Sequence, residues 1–182
     1  MSDPQARAVL DFWFAPDMEK RWFAADGGLD RELAERFGTE LAQAAQGQLD
    51  HWLEDRDGAL ALVIVLDQFP RNIFRGKYQA FAFDSKALTM SEAAILRGHD
   101  QSLSPIRRRF LYLPFMHSES LPDQKHCVRL FEAAGDDPEG LDYARRHMEV
   151  IQRFDRFPHR NQALERENTP EEEEYLAQGG GF

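Results

Sequence analysis

The sequence predicts an all-α fold, and three observations carry that reading. Apolar residues recur at helical spacing through most of the chain, as in the i, i+4 series Leu29, Leu33, Phe37, Leu41 and Ala45. Proline repeatedly follows a small capping residue where a helix would begin: Asp3-Pro4, Ser104-Pro105, Asp137-Pro138 and Thr169-Pro170. One stretch, "ALALVIVL" (Ala59 to Leu66), has the composition of a buried strand, and no second run of its kind offers it a neighbour. A lone strand would leave its backbone groups unpaired, so the stretch is read as a helix buried on all sides at the centre of the fold.

The elements follow in order. Asp3 caps and Pro4 opens a helix with Ala6, Val9, Leu10, Trp13 and Phe14 on one face, and Pro16 stops it. The series from Leu29 to Ala45 gives the second, with Trp52 and Leu53 beyond Gly47. The buried helix through Ala59 to Leu66 reaches Asp67 in its last turn, and Pro70 is expected to end it. Asp84 or Ser85 caps a helix carrying Leu88, Ile95 and Leu96, closed by Gly98. Ser104-Pro105 starts the apolar-rich helix that ends in His117, Ser118 and Glu119. The stretch "DQKHCVRLF" puts Cys127 on an apolar face beside Val128 and Phe131, as a core residue rather than a nucleophile. Asp137-Pro138 starts a long helix with the core face Leu141, Ala144, Met148, Ile151 and Phe154. In "NTPEEEEYL" Thr169 caps, Pro170 fits the first position and Glu172 completes a capping box. The Glu run there lies against the positive end of the helix dipole, which explains it without a partner. The terminal "GGGF" reads equally as a loose end or as a docked Phe182. No linker or shift in composition divides the chain. The reading is one domain over residues 1–182, of about eight or nine helices, with an acidic C-terminal helix from about 170.

A chain of 182 residues can bury about 70% of its unfolded surface, so it needs neither disulfide nor metal to fold. Cys127 is the single cysteine, which points to a reducing compartment. The start "MSDPQARAVLDFWF" lacks the pattern of an export signal, and the longest apolar run falls far short of the roughly 20 residues of a membrane span. The expectation is a soluble cytoplasmic protein with no membrane partner. A net charge of −10 disfavours nucleic acid as a partner. Half of that charge sits in the last stretch, Glu165 to Phe182, which holds six Glu and one Arg. Arginine outnumbers lysine by 18 to 4, a bias that codon usage explains more simply than anion-binding chemistry does.

The most specific feature is an echo. "LDQFPRN" (Leu66 to Asn72) and "FDRFPHRN" (Phe154 to Asn161) both write Asp-x-Phe-Pro, then Arg-Asn. The two aspartates stand 88 residues apart, which is no multiple of the roughly 34-residue tetratricopeptide period. An aspartate at a helix C-terminus opposes the dipole and calls for a cation, and a nearby Arg fork is the natural one. Two readings follow. Either Asp–Arg locks fix helix-to-helix corners, or Arg71, Arg75, His159 and Arg160 form the polar floor of a ligand site. The third polar helix end, His117 to Glu119, adds a histidine beside a carboxylate, which suits acid–base work near neutral pH. Should these three ends converge, they would line one pocket. The chain has no His-Glu-x-x-His, no cysteine pair, no Gly-x-Ser-x-Gly elbow and no phosphate loop, so neither metal nor cofactor is expected. His117, Glu119, His147 and His159 could meet at a metal only if the fold gathered them.

At "LDFWF", "LDQFPRNIFRG", "RRFLYLPFMHSE", "RFPHRN" and "TPEEEEYL" the chain resembles a bacterial family catalogued as domain of unknown function 924, in order from Leu10 to the C-terminus. The resemblance implies an all-α, tetratricopeptide-like superhelix without regular repeats, and brings no activity or cofactor with it. The family-like positions of interest are Asp67, Arg71, Asn72, Arg75, His117, Glu119, His159, Arg160 and Asn161. Family members often carry Gly where this chain has Asp155, so Asp155 is set aside. The function expected is the binding of a small anionic metabolite in a polar Arg/His/Asn pocket, with acid–base chemistry left open. The alternative is a tetratricopeptide-like module for a protein partner, with structural Asp–Arg locks.

Overall fold

The computed structural model describes residues 3–181, and Phe182, whose docking the sequence leaves open, lies outside them. Among the described residues the chain forms eight α-helices, four short 3-10 helices and no strand. The α-helices are α1 (Pro4–Trp13), α2 (Gly27–Ala45), α3 (Arg56–Ile73), α4 (Asp84–Leu96), α5 (Pro105–His117), α6 (Leu121–Ala134), α7 (Pro138–Phe154) and α8 (Pro170–Ala177). Two compact units are distinguished, residues 3–75 with Gln79–Pro114, and Gly76–Tyr78 with residues 115–181.

The first unit is organised by α3, against which α1, α2 and α4 pack. Every side chain from Ala59 to Leu66 is fully buried, as expected of a helix apolar on all sides. Asp55 starts it by accepting from the Gly58 N–H at 3.0 Å. Aromatic rings pack along one side: Trp13 lies edge-on to Phe110 and tilted against Phe69, each at 5.7 Å between centroids. Helix α1 keeps the expected Asp3 cap, its side chain accepting from the Gln5 N–H at 2.8 Å.

Two expectations for this unit are corrected. Pro70 does not end α3, which runs on to Ile73 and places Asp67 before the last turn. The Asn72 amide donates to the Gln68 carbonyl at 2.9 Å and Arg71 Nη1 to the Asp67 carbonyl at 3.2 Å. These side-chain donors add bonds to the carbonyls of the turn that holds the proline. In α4 the buried face is Ala87, Ser91 and Ala94, while Leu96 is 82% exposed. Small residues let α4 lie close to α3, and neither Asp84 nor Ser85 caps it; the cap position is Phe83.

In the second unit α6 packs against α7. Val150, Ile151 and Phe157 form a buried cluster, with Leu121, Phe154 and Tyr175 partly buried around it. Cys127 is buried in α6, and burial pushes its thiol well above the ordinary thiol range. The core face of α7 differs from the expected one: Ala144, His147, Val150 and Ile151 are buried, whereas Leu141, Met148 and Phe154 are only partly so. Asp155 takes the C-cap of α7 in the left-handed conformation at φ 56°, the geometry that favours glycine. Helix α8 carries the complete capping box, Thr169 with Glu172. Past it, Gly180 packs against Tyr175, where an added Cβ would meet the carbonyl oxygen at 2.5 Å.

Gly58 gives a test of the packing at the head of α3. A Cβ there would run into the Trp52 carbonyl oxygen, a backbone atom that cannot swing aside. Gly58→Ala is expected to destabilise the protein by about 1–3 kcal/mol despite alanine's better helix propensity, as read from urea unfolding. An unchanged or raised midpoint would show that the contact relaxes freely.

Candidate functional site

The C-terminal part of α3 shows what a buried helix demands of its polar residues. Asp67 is fully buried; Gln68 Nε2 donates to its Oδ2 at 2.6 Å and Arg71 Nη2 stands 3.6 Å from its Oδ1. Arg71 turns its fork to Asp84, with Nη1 at 2.7 Å and Nη2 at 3.0 Å, and gives a further bond to the Ala80 carbonyl at 3.2 Å. Arg75 holds Asp30 in the same bidentate way at 3.0 and 2.9 Å and donates to Asn72 Oδ1 at 3.0 Å. These residues thus form two sets, Asp67–Arg71–Asp84, which ties α3 to α4, and Asn72–Arg75–Asp30, which ties α3 to α2. The geometry is that of paired locks, in which each cation faces carboxylates of the protein itself.

The second unit brings together the other predicted residues. His117 is the last residue of α5, and its carbonyl accepts from Arg160 Nη2 at 2.9 Å. The Arg160 guanidinium lies 4.5 Å from the centre of the Phe157 ring. His147 stands edge-on to the same ring at 5.7 Å, and His159 lies tilted against it at 5.6 Å. The His117 and His147 rings are 6.4 Å apart. Two imidazoles and one guanidinium therefore surround buried Phe157, and the His117 ring joins them through His147. The His147 Nδ1 lies 2.8 Å from the Tyr143 carbonyl, which only accepts, so Nδ1 carries the hydrogen and Nε2 holds the lone pair of the neutral ring. Burial pushes His147 down to about 3, and the charges of His117, His159 and Arg160 add to the shift against the opposing Tyr143 carbonyl.

Glu119 closes this group from the other side. Its Oε1 accepts from the Phe157 N–H at 2.8 Å and from Arg166 Nη2 at 2.9 Å, and its Oε2 from Arg166 Nη1 at 2.7 Å. Burial raises its pKa, but the Arg166 fork and the Phe157 amide outweigh it and hold the carboxyl below its ordinary value. Glu119 is thus a clamp on the Phe157–Asn161 segment, with both oxygens engaged. Asn161 is buried; its amide donates to Asn168 Oδ1 at 2.8 Å and Glu172 Oε2 at 3.3 Å. Glu172 itself is buried and held by the Arg156 fork at 2.6 and 2.7 Å and by the Thr169 N–H at 2.7 Å. Among the described residues no three His, Cys, Asp or Glu side chains gather as a metal ion would require.

Sequence reasoning missed His147 as a site residue, and Arg156, Arg166 and Gln124 altogether. His147 had a signal: it stands three residues after Ala144 and four before Ile151, on the core face of α7. Arg166 had none, because its partner Glu119 lies 47 residues away.

The comparisons agree with the fold. The model of a family described as a bacterial protein of unknown function (DUF924) matches residues 9–180. A solved structure of a protein of unknown function from Agrobacterium tumefaciens is 42% identical, covering 96% of this chain and 98% of that one, with a TM-score of 0.90. No curated protein matches the chain.

Two measurements separate the locks from the imidazole group. Arg71→Ala takes the fork from half-buried Asp84 and the nearby cation from buried Asp67, and is expected to cost about 3–5 kcal/mol in urea unfolding. A loss below about 1 kcal/mol would mark the pairing as incidental. Acid titration reads the second unit. Glu172 is lowered from 4.5 to about 2, chiefly by Arg156, so its contribution is present above pH 4.5 and lost as pH falls toward 2. His147, lowered from 6.5 to about 3, likewise loses its contribution as pH falls from 6.5 toward 3. Glu172→Gln should remove the slope that Glu172 contributes between pH 4.5 and about 2, and His147→Gln the one that His147 contributes between pH 6.5 and about 3.

Proposed function

The chain belongs to the DUF924 family of bacterial proteins, and from that premise we propose that it binds a small anionic metabolite in its second unit, at the group of His117, His147, His159 and Arg160. One observation carries this reading: His147, His159 and Arg160 crowd around Phe157, with the His117 ring beside His147. The acid beside them, Glu119, is already shared with Arg166. An anion would offset the positive charge of Arg160 in this buried setting. A net charge of −10 suits a small-molecule partner better than nucleic acid, and the single cysteine fits a reducing cytoplasm. Among the described residues no helix is long and apolar enough to cross a membrane.

A second reading, a tetratricopeptide-like interaction module, draws its support from the first unit. There Arg71 and Arg75 are committed to Asp84 and Asp30, so that part of the chain reads as scaffold.

Thermal unfolding in sulfate tests the main reading, because sulfate keeps one charge state across the range where histidines titrate. Sulfate at 100 times its dissociation constant should add about 2.7 kcal/mol, a rise in midpoint of roughly 5–10 °C for a chain of this size. The measurement is made from about pH 6 to about pH 8. His159 is exposed, so His159→Gln should weaken sulfate binding with little change in stability. Absence of any sulfate effect across that range removes the reading.

A further inference from the structure

We propose that the anion bound in the second unit also carries a hydroxyl group, which donates to the side-chain oxygen of Gln124; the inference rests on the anion-binding reading above. Gln124 is fully buried in α6, and its Nε2 donates to the carbonyls of Met116 at 2.6 Å and Ser118 at 2.7 Å. Those carbonyls flank that of His117, which Arg160 occupies. The Gln124 amide and the Arg160 guanidinium therefore share the end of α5, on either side of one residue of the candidate site.

The orientation of this amide is settled by its partners. Both groups facing Nε2 are carbonyls, which only accept, so Oε1 is the acceptor end. Among the described residues nothing donates to it. Asn161, next to Arg160, repeats the pattern: Nδ2 faces Asn168 Oδ1 and the Glu172 carboxylate, and the buried Oδ1 has no donor among the described residues. Buried acceptors left unmade are costly, and a ligand that supplies the donor recovers the loss. Charge selects the kind of donor. An ammonium would add a positive charge beside Arg160 and the imidazoles, whereas a hydroxyl donates and stays neutral. The ligand class is therefore a hydroxylated anion, either a hydroxy-carboxylate or a phosphorylated polyol.

Calorimetric titration of the wild-type protein with matched pairs tests this: malate against succinate, and glycerol 3-phosphate against propyl phosphate, with sulfate alongside. The hydroxylated member of at least one pair should bind about tenfold tighter or more, and the pair that shows it identifies the anion as carboxylate or phosphate. In Gln124→Met, which keeps the length of the side chain without the oxygen, the ratio within that pair should collapse. Should that variant not fold, the wild-type pairs decide alone. Equal affinities within both pairs, or sulfate binding with none of the four, overturn the hydroxyl while leaving the anion reading intact. A preference that persists in folded Gln124→Met overturns the role of Gln124. If sulfate and all four compounds fail to bind, the anion reading falls, and the hydroxyl inference with it.

Discussion

A helix that is apolar on every face must be covered along its whole length, and most of the first unit follows from that requirement. The stretch from Gly58 to Pro70 in α3 is buried without interruption, including Asp67 and Gln68. Such a helix cannot end in water, so its polar C-terminal part must find partners inside the protein. Gln68 and Arg71 supply them for Asp67, and Asp84 takes the Arg71 fork; Arg75, Asn72 and Asp30 form a second set nearby. A buried pair of this kind adds little to stability beyond what well-packed apolar residues would give, yet breaking it strands a charge. Its contribution is register: it determines which carboxylate of α4 and α2 meets α3.

The second unit solves a similar problem with different means. The last carbonyls of α5 have no helical donors, and Gln124 and Arg160 take three successive ones, from Met116, His117 and Ser118. Glu119 then pins the Phe157 amide, with Arg166 as its counter-ion, and Glu172 pins the start of α8 through Arg156 and Asn161. The segment from Phe157 to Asn161 is held at several points. Its histidine and arginine are presented by a braced turn, the condition a binding site needs if its ligand is not to pay for ordering the loop.

The helices were legible in the sequence wherever a local rule decides them. Asp3, Asp137 and Thr169 cap as read, and the missing strand partner correctly turned Ala59 to Leu66 into a helix. Legibility failed where distant partners override a local rule. Pro70 reads as a stop, but α3 runs on to Ile73, and Arg71 and Asn72 add bonds to the carbonyls of that turn. The echo in the sequence has no structural counterpart, for Asp67 lies within α3 while Asp155 is an exposed left-handed cap. The locks were foreseen as Asp–Arg pairs, but their main partners, Asp84 and Asp30, lie 13 and 45 residues away. Within the candidate site His117, His159 and Arg160 stood out by their density, whereas His147 was hidden by a spacing that marks it first as a core position.

The excess of arginine over lysine acquires a meaning from these placements. Arg71, Arg75, Arg153, Arg156 and Arg166 each meet a carboxylate through two or more donors or across a short contact. Forks of this geometry need guanidinium, because an ammonium cannot bond both oxygens in one plane. Arg160 is set differently, donating to a backbone carbonyl and lying over an aromatic ring. A guanidinium so placed keeps a diffuse positive charge in a buried setting, where its field is weakly screened. The acidic chain as a whole repels anions at long range, so attraction at this point must come from short-range donors. On the proposed anion reading such a site would select by shape and hydrogen bonding rather than by steering, and the orientation of a single amide, that of Gln124, would decide which anion it prefers.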